Sequence, residues 1–351
     1  MIWTFDDGLT IEPYQAERDN AEAMAMEALA PQGEAFRLSF RRSSFHRRAA
    51  SFDDHALLVA RKGGRLVGVY AVAFKDVLLC GEPMRAAFGF DMRVHPDHRR
   101  QGIASRLSDC MLERCAGRAE LAYSWVVDDN RAVQAMIAAQ SDTSPKVVGR
   151  YAYQVYPTYR ELPSEHLPTE ADPDEVFEAH RRIAGPFDFA TDPRQGGDLS
   201  PRVSSWMVRD GADQAGCSVW DNHDILGEVV ERIPTGLRVA GAVMRVVPFA
   251  RLPHVPRPGE QLRSWYIYDA FASRPDLARD LYRHLAGVAR AEGIDYLYIV
   301  HIDSQRPWVE AVRADLPRAF APVIPYVLFA GWDREEPFPT LERVYVDIRD
   351  L

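Results

Sequence analysis

The stretch from Phe90 to Leu112, FDMRVHPDHRRQGIASRLSDCML, limits the possible folds of this chain more than any other. A strand from Phe88 to Val94 leads into a turn at His95-Pro96, and a basic loop follows. A helix is predicted to begin near Gly102, because apolar residues then recur four apart on one face, at Ile103, Leu107 and Met111, with Cys110 beside them. The stretch therefore predicts a strand, a loop and a helix in immediate succession.

This arrangement predicts a binding site for phosphate. The first turn of a helix has unpaired backbone N–H groups and a partial positive charge, which together attract anions. Gly102 lets an anion approach the backbone closely, and the side chains of Arg99, Arg100 and Arg106 add positive charge. The loop therefore favours a ligand that carries a pyrophosphate.

The run Val94-x-Pro96-x-x-Arg99-Arg100-x-Gly102-Ile103-Ala104 resembles the acetyl-CoA loop of the GNAT N-acetyltransferase superfamily. The core pattern of that loop, Arg/Gln-x-x-Gly-x-Gly/Ala, is met by Arg99, Gly102 and Ala104. The resemblance implies that acetyl-CoA is the co-substrate. It assigns the pyrophosphate to the loop and first helical turn, and the acetyl and pantetheine groups to the strand before them. The implied binding residues are Met92, Arg93, Val94, Arg99, Arg100, Gln101, Gly102, Ile103, Ala104 and Ser105.

The order of elements predicts an α/β (α+β) fold of two tandem GNAT-type domains, each a mixed, mostly antiparallel sheet with flanking helices. Residues 1–157 form the first domain, 158–175 a Pro-rich acidic linker, and 176–351 a second, degenerate copy. The expected elements of the first domain are strands 9–13, 56–60, 66–73, 84–94, 121–127 and 147–156, and helices 15–29, 102–116 and 130–140. Those of the second are helices 176–183, 277–291 and 303–312, and strands 237–246, 265–271 and 296–300.

The repeat fails at the cofactor loop. WYIYDAF at 265–271 mirrors AFGFDMR at 87–93, so Asp269 stands where Asp91 stands. The next segment, 272–281, lacks a glycine, and Asp276 and Asp280 put negative charge where the first copy has arginines. We therefore expect the second domain to have lost acetyl-CoA binding.

A narrower resemblance is to Hookless-type N-acetyltransferases, which AYSWVVDDNRAVQAM at 122–136 resembles. Asn130 matches the family's asparagine on the pantetheine arm and is equally suited to cap the helix that follows. The resemblance implies an acidic general base on the strand at Asp91, with a pKa raised by Phe88 and Phe90. A purely structural role for Asp91 stays open, because Asp269 repeats it in the copy that is expected to be inactive.

The chain departs from the GNAT pattern at the general acid. The family's usual tyrosine lies seven or eight residues after the asparagine, where this chain has Ile137 and Ala138. Tyr123, Tyr151 and Tyr153 are possible substitutes, although their spacing is typical of strand core, and the thiolate can also leave unaided. The basic, aromatic segment 36–48 is either an amphipathic helix with a solvated face or a wall of the acceptor site.

Composition narrows the remaining function classes. A net charge of −9 argues against nucleic acid or an anionic membrane as a bulk partner. No apolar run is long enough to span a membrane, no signal peptide is recognised, and the four cysteines lack metal or disulfide spacing, so a cytoplasmic protein is expected. His95-x-x-His98 has no third ligand at matching spacing, so we expect no metal.

The sequence thus predicts an N-acetyltransferase that moves acetyl from acetyl-CoA to an amine on a small-molecule or peptide acceptor. Two alternatives stay open: a regulatory module that binds acyl-CoA without turnover, and a Fem-like aminoacyl transferase. The intact Arg99-x-x-Gly102-x-Ala104 loop argues against the second, which should not need it. The sequence leaves the acceptor and the oligomeric state undetermined.

Overall fold

The computed structural model describes residues 1–33, 36–139, 145–159, 161–191, 203–246, 253–301, 313–315, 323–332, 334, 336–341 and 343–350. Its strands are β1 (Trp3–Thr4), β2 (Leu9–Pro13), β3 (Arg37–Arg41), β4 (Asp54–Lys62), β5 (Arg65–Leu79), β6 (Glu82–Val94), β7 (Leu121–Val127), β8 (Lys146–Pro157), β9 (Thr169–Ala171), β10 (Val203–Asp210), β11 (Asp213–Trp220), β12 (Gly227–Arg232), β13 (Ser264–Ala272), β14 (Tyr296–His301) and β15 (Val323–Trp332). Its helices are α1 (Ala16–Ala28), α2 (Ile103–Cys115), α3 (Arg131–Ala138), α4 (Pro173–Ala184), α5 (His223–Leu226), α6 (Thr235–Arg245) and α7 (Pro275–Ala291).

One large sheet runs through both halves of the chain, in the order β1-β2-β4-β5-β6-β7-β15-β8-β14-β13-β11-β10-β9. The β6–β7 and β13–β14 pairs are parallel, and the other pairs are antiparallel. The mixed, mostly antiparallel sheet with flanking helices confirms the predicted fold class.

The halves exchange their closing strands at the centre of this sheet. Strand β15, from the C-terminal half, lies between β7 and β8. Strand β8, expected to close the first unit, is instead paired with β14 of the second half on its other side. Interstrand hydrogen bonds thus join strands of the N-terminal half to strands of the C-terminal half. The predicted domain boundaries at residues 157 and 176 stay a prediction.

Matching bulges occur at equivalent places in the two halves. On β6 the register with β5 shifts between Val69 and Ala71, and Asp91 lies in the left-handed region with φ of 50°. On β13 the register with β11 shifts in the same way, and Asp269 has φ of 49°. Aspartate tolerates this conformation better than most residues, because its short side chain can hydrogen-bond locally.

Helix α2 packs its predicted apolar face on the sheet. Ile103, Leu107 and Met111 are buried together with residues of β4 and β5. Gly68 on β5 allows the close approach, because a Cβ there would lie 2.9 Å from the Leu107 side chain. The pattern of apolar residues four apart therefore found the correct face of this helix.

Two predicted elements were wrong. Residues 237–246 are not a strand: they form most of helix α6 and its C-cap, Val246. Leu237 and Met244 lie seven apart on this helix and pack against one small cluster. Segment 36–48 is not an amphipathic helix: it holds β3, which pairs with β12, followed by a 3-10 turn in which Phe45 is buried. The predicted helix 303–312 lies outside the described residues.

The expected linker 158–175 is fastened to the second half. Strand β9 within it adds to the sheet beside β10. The Asp280 side chain on α7 accepts hydrogen bonds from the backbone N–H groups of Glu165 and His166, at 3.2 and 2.9 Å. Asp280 thus orders the linker rather than facing the position of a phosphate.

The C-terminal segment 344–350 is buried against both halves. Lys75 on β5 lies 2.9 Å from Asp347 and 2.5 Å from Asp350, and all three side chains are nearly inaccessible to solvent. Tyr123 on β7 donates a hydrogen bond to Asp350 at 2.8 Å. Among the helices that the structure describes, none is long and apolar enough to cross a membrane.

Candidate active site

A cavity of about 1300 Å³ opens where β6 and β7 separate. The two strands pair only at Ala86–Leu121, Ala87–Ala122 and Phe88–Tyr123, and beyond this point both strands line the cavity. Eleven of the twelve predicted site residues line it: Asp91, Met92, Arg93, Val94, Arg99, Arg100, Gly102, Ile103, Ala104, Ser105 and Asn130. The twelfth, Gln101, is exposed and does not line it; its side chain turns back to the carbonyl of Asp97.

The N-terminus of α2 forms one end of the cavity. Gly102, which caps the helix, has φ of 75°, and a Cβ built there would meet no atom within 4 Å. Arg99 and Arg100 are exposed and form no ion pair with any described residue. Open space, free guanidinium groups and a helix N-terminus together fit a pyrophosphate.

Arg106 does not contribute as expected. Its guanidinium lies 2.9 Å from Asp7 and stacks on the ring of Phe5. The charge is therefore neutralised on the side of α2 that faces β1. Positive charge at the cavity mouth comes from Arg99 and Arg100.

Asp91 is enclosed by arginines. Its carboxylate lies 2.7 Å from Arg42, 3.2 Å from Arg48 and 3.8 Å from Arg93, and Arg42 also pairs with the buried Glu27. Burial raises the pKa of Asp91, but the three guanidinium groups outweigh burial and hold it well below its usual range. The expectation of a raised pKa was wrong, because the sequence could not show that segment 42–48 folds back onto β6.

Asn130 caps helix α3 and also lines the cavity. Its side-chain oxygen accepts a hydrogen bond from the backbone N–H of Val133 at 3.3 Å. The capping role is therefore present, and contact with a ligand stays a prediction. At the position of the missing general acid, Ile137 is buried and lines the cavity.

The three candidate tyrosines differ in their surroundings. The Tyr123 hydroxyl is engaged by Asp350, and burial followed by the charge of Asp350 raises its pKa well above the usual value. Tyr151 stacks on Tyr326 away from the cavity surface, with ring centroids 5.2 Å apart. Tyr123 and Tyr153 line the cavity, and the hydroxyl of Tyr153 is not engaged by a carboxylate as that of Tyr123 is.

The second half contributes a wall that sequence reasoning missed. It contains Glu228 of β12 and a group of aromatic rings that we call the tyrosine box: Tyr153, Tyr266, Tyr298 and Tyr326. Tyrosines at alternate positions in 151–153, 266–268 and 296–298 were a usable signal, since residues two apart on a strand share a face. The spacing of Tyr151 and Tyr153 is typical of strand core, and the sequence does not show that their strand adjoins a cavity.

The N-terminus of α7 corresponds to that of α2, but the arginine before it is paired with carboxylates. Arg274 before α7 is neutralised by Asp210, Asp213 and Asp276, at 2.9, 3.2 and 2.6 Å. No residue from 272–281 lines the cavity. Among the residues that the structure describes, no group of three or more His, Cys, Asp or Glu side chains could hold a metal ion.

Comparisons with known proteins agree with this geometry. Residues 22–140 match the model of the Acetyltransferase (GNAT) family. The chain is 27% identical over 284 residues to Acetyl transferase GW6a of Oryza sativa subsp. japonica, across 74% of this chain and 67% of that protein.

Two solved structures share the fold. N-myristoyltransferase of Saccharomyces cerevisiae, with bound myristoyl-CoA, superposes with a TM-score of 0.60 at 10% identity, over 97% of this chain and 85% of that one. A GCN5-related N-acetyltransferase from Kribbella flavida gives 0.51 at 12% identity, over 91% and 70%. At such identities the likeness concerns the fold alone, and it extends over both halves of the chain.

Proposed function

We propose that this chain, which belongs to the GNAT superfamily and is an acyl-CoA-dependent acyltransferase, transfers the acetyl group of acetyl-CoA to an amine. The observation that carries the proposal is the cavity in which the separated ends of β6 and β7 meet the N-terminus of α2. A helix N-terminus with two free arginines suits a pyrophosphate, and a cleft between strands suits the narrow pantetheine arm.

The bulge on β6 supplies a reason why transfer would occur here. At Asp91 the register with β5 is interrupted, and β6 pairs with β7 only as far as Phe88, so Met92 and Arg93 line the cavity beyond the paired part of these two strands. A backbone N–H that points at the thioester oxygen would stabilise the negative charge that develops during attack by a nucleophile. The ion pairs around Asp91 hold this backbone in place.

The acceptor is proposed to be a small-molecule or peptide amine that enters from the side of the second half. Phe36, Phe40 and Arg48, from the basic, aromatic segment 36–48, line the cavity beside β12. This supports the interpretation of that segment as a wall of the acceptor site.

A longer acyl donor is the second candidate. The cavity exceeds the several hundred cubic ångströms that hold most small ligands. Apolar side chains, including Leu237, Val255 and Leu262, extend it beyond the tyrosine box. Rates measured with acetyl-CoA, octanoyl-CoA and myristoyl-CoA at equal concentration would separate the two candidates, since the correct chain length should give the highest kcat/KM.

Calorimetric titration with acetyl-CoA tests the proposal. Gly102→Glu should abolish binding, because a carboxylate would occupy the phosphate position and repel it. Gly81→Glu is the matched control: Gly81 also has a positive φ, of 84°, and open space around its Cβ, but it lies in the β5–β6 turn outside the cavity. Both substitutions impose similar backbone strain.

If Gly81→Glu binds acetyl-CoA normally and Gly102→Glu does not, the donor site is at α2. Equal binding by wild type and Gly102→Glu would refute that position. Binding without release of free thiol in the presence of a panel of primary amines would favour the regulatory module that holds acyl-CoA without turnover.

A further inference from the structure

Glu228 differs from the other carboxylates that line the cavity. Asp91 and Asp350 are ion-paired, and Asp129 is exposed to solvent. Glu228 forms no ion pair with any described residue, and its Oε2 is buried without a hydrogen-bond partner there. A sheltered carboxylate without a cation costs free energy, so the site is suited to a ligand that brings positive charge.

The backbone holds Glu228 rigidly. It lies on β12 opposite Phe40 of β3, and its carbonyl accepts a hydrogen bond from the Leu262 N–H at 2.8 Å. At the preceding residue, Gly227, an added Cβ would lie 2.8 Å from backbone oxygens of Arg41 and His223. The carboxylate therefore projects from a strand fixed on both sides.

The tyrosine box surrounds this carboxylate with aromatic faces. Ring centroids of Tyr266 and Tyr298 are 4.9 Å apart, and Tyr153 lies 5.9 Å from Tyr266 and 5.2 Å from Tyr326. The Tyr153 hydroxyl is buried and unpartnered within the described chain. Aromatic faces and a carboxylate are the combination that binds an ammonium group.

The cavity wall around Asp91 carries a net positive charge. Around Asp91, three guanidinium groups face two carboxylates, those of Asp91 and Glu27. Arg48 joins the two regions, since it contacts Asp91 and its charge also acts on Tyr266 and Tyr326. An ammonium group is therefore directed away from Asp91 and toward Glu228.

We propose that Glu228 and the tyrosine box bind the ammonium group of the acceptor, and that Glu228 is the general base that removes its proton. This rests on the proposed function and names its substrate class: a primary amine that arrives protonated. The second half of the chain thereby provides the acceptor site, while the first half holds the donor.

In the reaction, the ammonium nitrogen first loses one proton to Glu228, which releases it to solvent. The neutral nitrogen then forms a bond with the thioester carbonyl carbon. As the carbon–sulfur bond breaks, its electron pair leaves with sulfur, and the second proton lost by nitrogen neutralises the thiolate. The products are an amide, free CoA thiol and one proton.

The protonation state of Glu228 suits this role. Burial raises its pKa to about 7, against the lowering effects of the Tyr298 and Tyr266 hydroxyls and of His223. The other titratable groups that face it are Tyr153 and Tyr326, whose own pKa values are raised, chiefly by burial. A base whose pKa lies near the working pH is the most effective in proton transfer.

Calorimetric binding of n-butylammonium, with n-butanol as the neutral analogue, tests the cation site without turnover. Butylammonium should bind wild type about tenfold more weakly at pH 6 than at pH 8, because a carboxyl group with pKa near 7 is mostly protonated at the lower pH. Butanol binding should not change. Glu228→Gln should bind butylammonium at least tenfold more weakly at pH 8 and lose the pH dependence.

Glu231→Gln is the matched control. Glu231 lies on the same strand, is exposed, and hydrogen-bonds Ser39 outside the cavity. Equal butylammonium binding by wild type and Glu228→Gln would overturn the proposal. So would a pH dependence that persists in Glu228→Gln, since Glu228 could not then be its source. The wild-type pH series needs no variant and decides the cation site even if Glu228→Gln does not fold.

Thiol release from acetyl-CoA with butylamine tests the general base. The kcat/KM of wild type should rise with pH and level off near pH 7. In Glu228→Gln, kcat/KM should be at least 100-fold lower and should no longer show this rise, while acetyl-CoA binds normally. An unchanged profile in Glu228→Gln would overturn the base. Failure of wild type to bind acetyl-CoA would refute the proposed function instead and would leave the butylammonium result intact.

Discussion

Replacing Asp91 by Asn separates a structural role of this carboxylate from a catalytic one. Asn is the suitable substitution because it tolerates the left-handed backbone at φ of 50° and preserves side-chain volume. It removes a buried negative charge that lies within 4 Å of Arg42, Arg48 and Arg93. What is measured is therefore the loss of the charge.

The expected cost to the free energy of unfolding is about 3–5 kcal/mol, the usual penalty for breaking a buried ion pair from one side. Urea denaturation at pH 7 measures it. Because the pKa of Asp91 is lowered in the folded protein, its stabilisation is fully present above the unfolded value near 4 and is lost as pH falls toward the folded value. The difference between wild type and Asp91→Asn should therefore persist at pH 5 and shrink only in strong acid.

Asp269→Asn is the matched control in the second half. Asp269 occupies the equivalent bulge and accepts a hydrogen bond from Tyr345 at 2.7 Å. An Asn side chain can still accept that bond, so the expected loss is about 1–2 kcal/mol.

Activity decides between the two roles of Asp91. If Asp91 only holds the bulge, the folded fraction of Asp91→Asn should keep the wild-type pH profile for thiol release. A loss of less than 1 kcal/mol in stability, together with a 100-fold or greater fall in kcat, would refute our reasoning and identify Asp91 as the general base.

Two further substitutions test the packing that positions the cavity. Lys75→Met should lower the free energy of unfolding by about 3–5 kcal/mol in urea titrations, because it removes a cation from the buried carboxylates of Asp347 and Asp350. Lys62→Met is the control: its ion pair with Asp7 is exposed to solvent, so the loss should be less than 1 kcal/mol. Gly68→Ala should cost about 1–3 kcal/mol and weaken acetyl-CoA binding, because its Cβ would press on Leu107 and displace α2. Gly149→Ala, with ordinary contacts at 3.6 Å or more, should do neither.

Equal losses for Lys75→Met and Lys62→Met would contradict the buried ion-pair argument. Unchanged stability and acetyl-CoA affinity in Gly68→Ala would contradict the view that this glycine sets the position of α2.

Sequence reasoning succeeded where local pattern and chemistry coincide. The loop at Arg99–Ala104, the apolar face of α2 and the strand before it were all found, because a helix N-terminus, its glycine and its arginines are adjacent in the chain. Helix α6 was missed because its valines favour a strand. Val239, Val243 and Val246 are exposed in the structure, so they do not report a buried face.

The cavity wall that we propose to bind the acceptor could not be predicted in the same way. Glu228 lies in a segment without any motif. Its pKa depends on burial and on the hydroxyls of Tyr298 and Tyr266, which are distant in sequence. The pKa of Asp91 was misjudged for the same reason. Its neighbours on the strand are apolar, but the groups that control it come from Arg42 and Arg48.

The sequence by itself determined the loop and helix N-terminus at one end of the cavity and the class of fold, since both depend on periodicity and on chemistry that is continuous along the chain. The tertiary structure alone decided three features: the exchange of β8 and β15, the ion pairs that lower the pKa of Asp91, and the burial of Glu228 against Tyr266 and Tyr298. Each of these is a pairing across a long sequence separation. Such pairings depend on which surfaces come together when both halves share one sheet, and a single local pattern does not encode that choice.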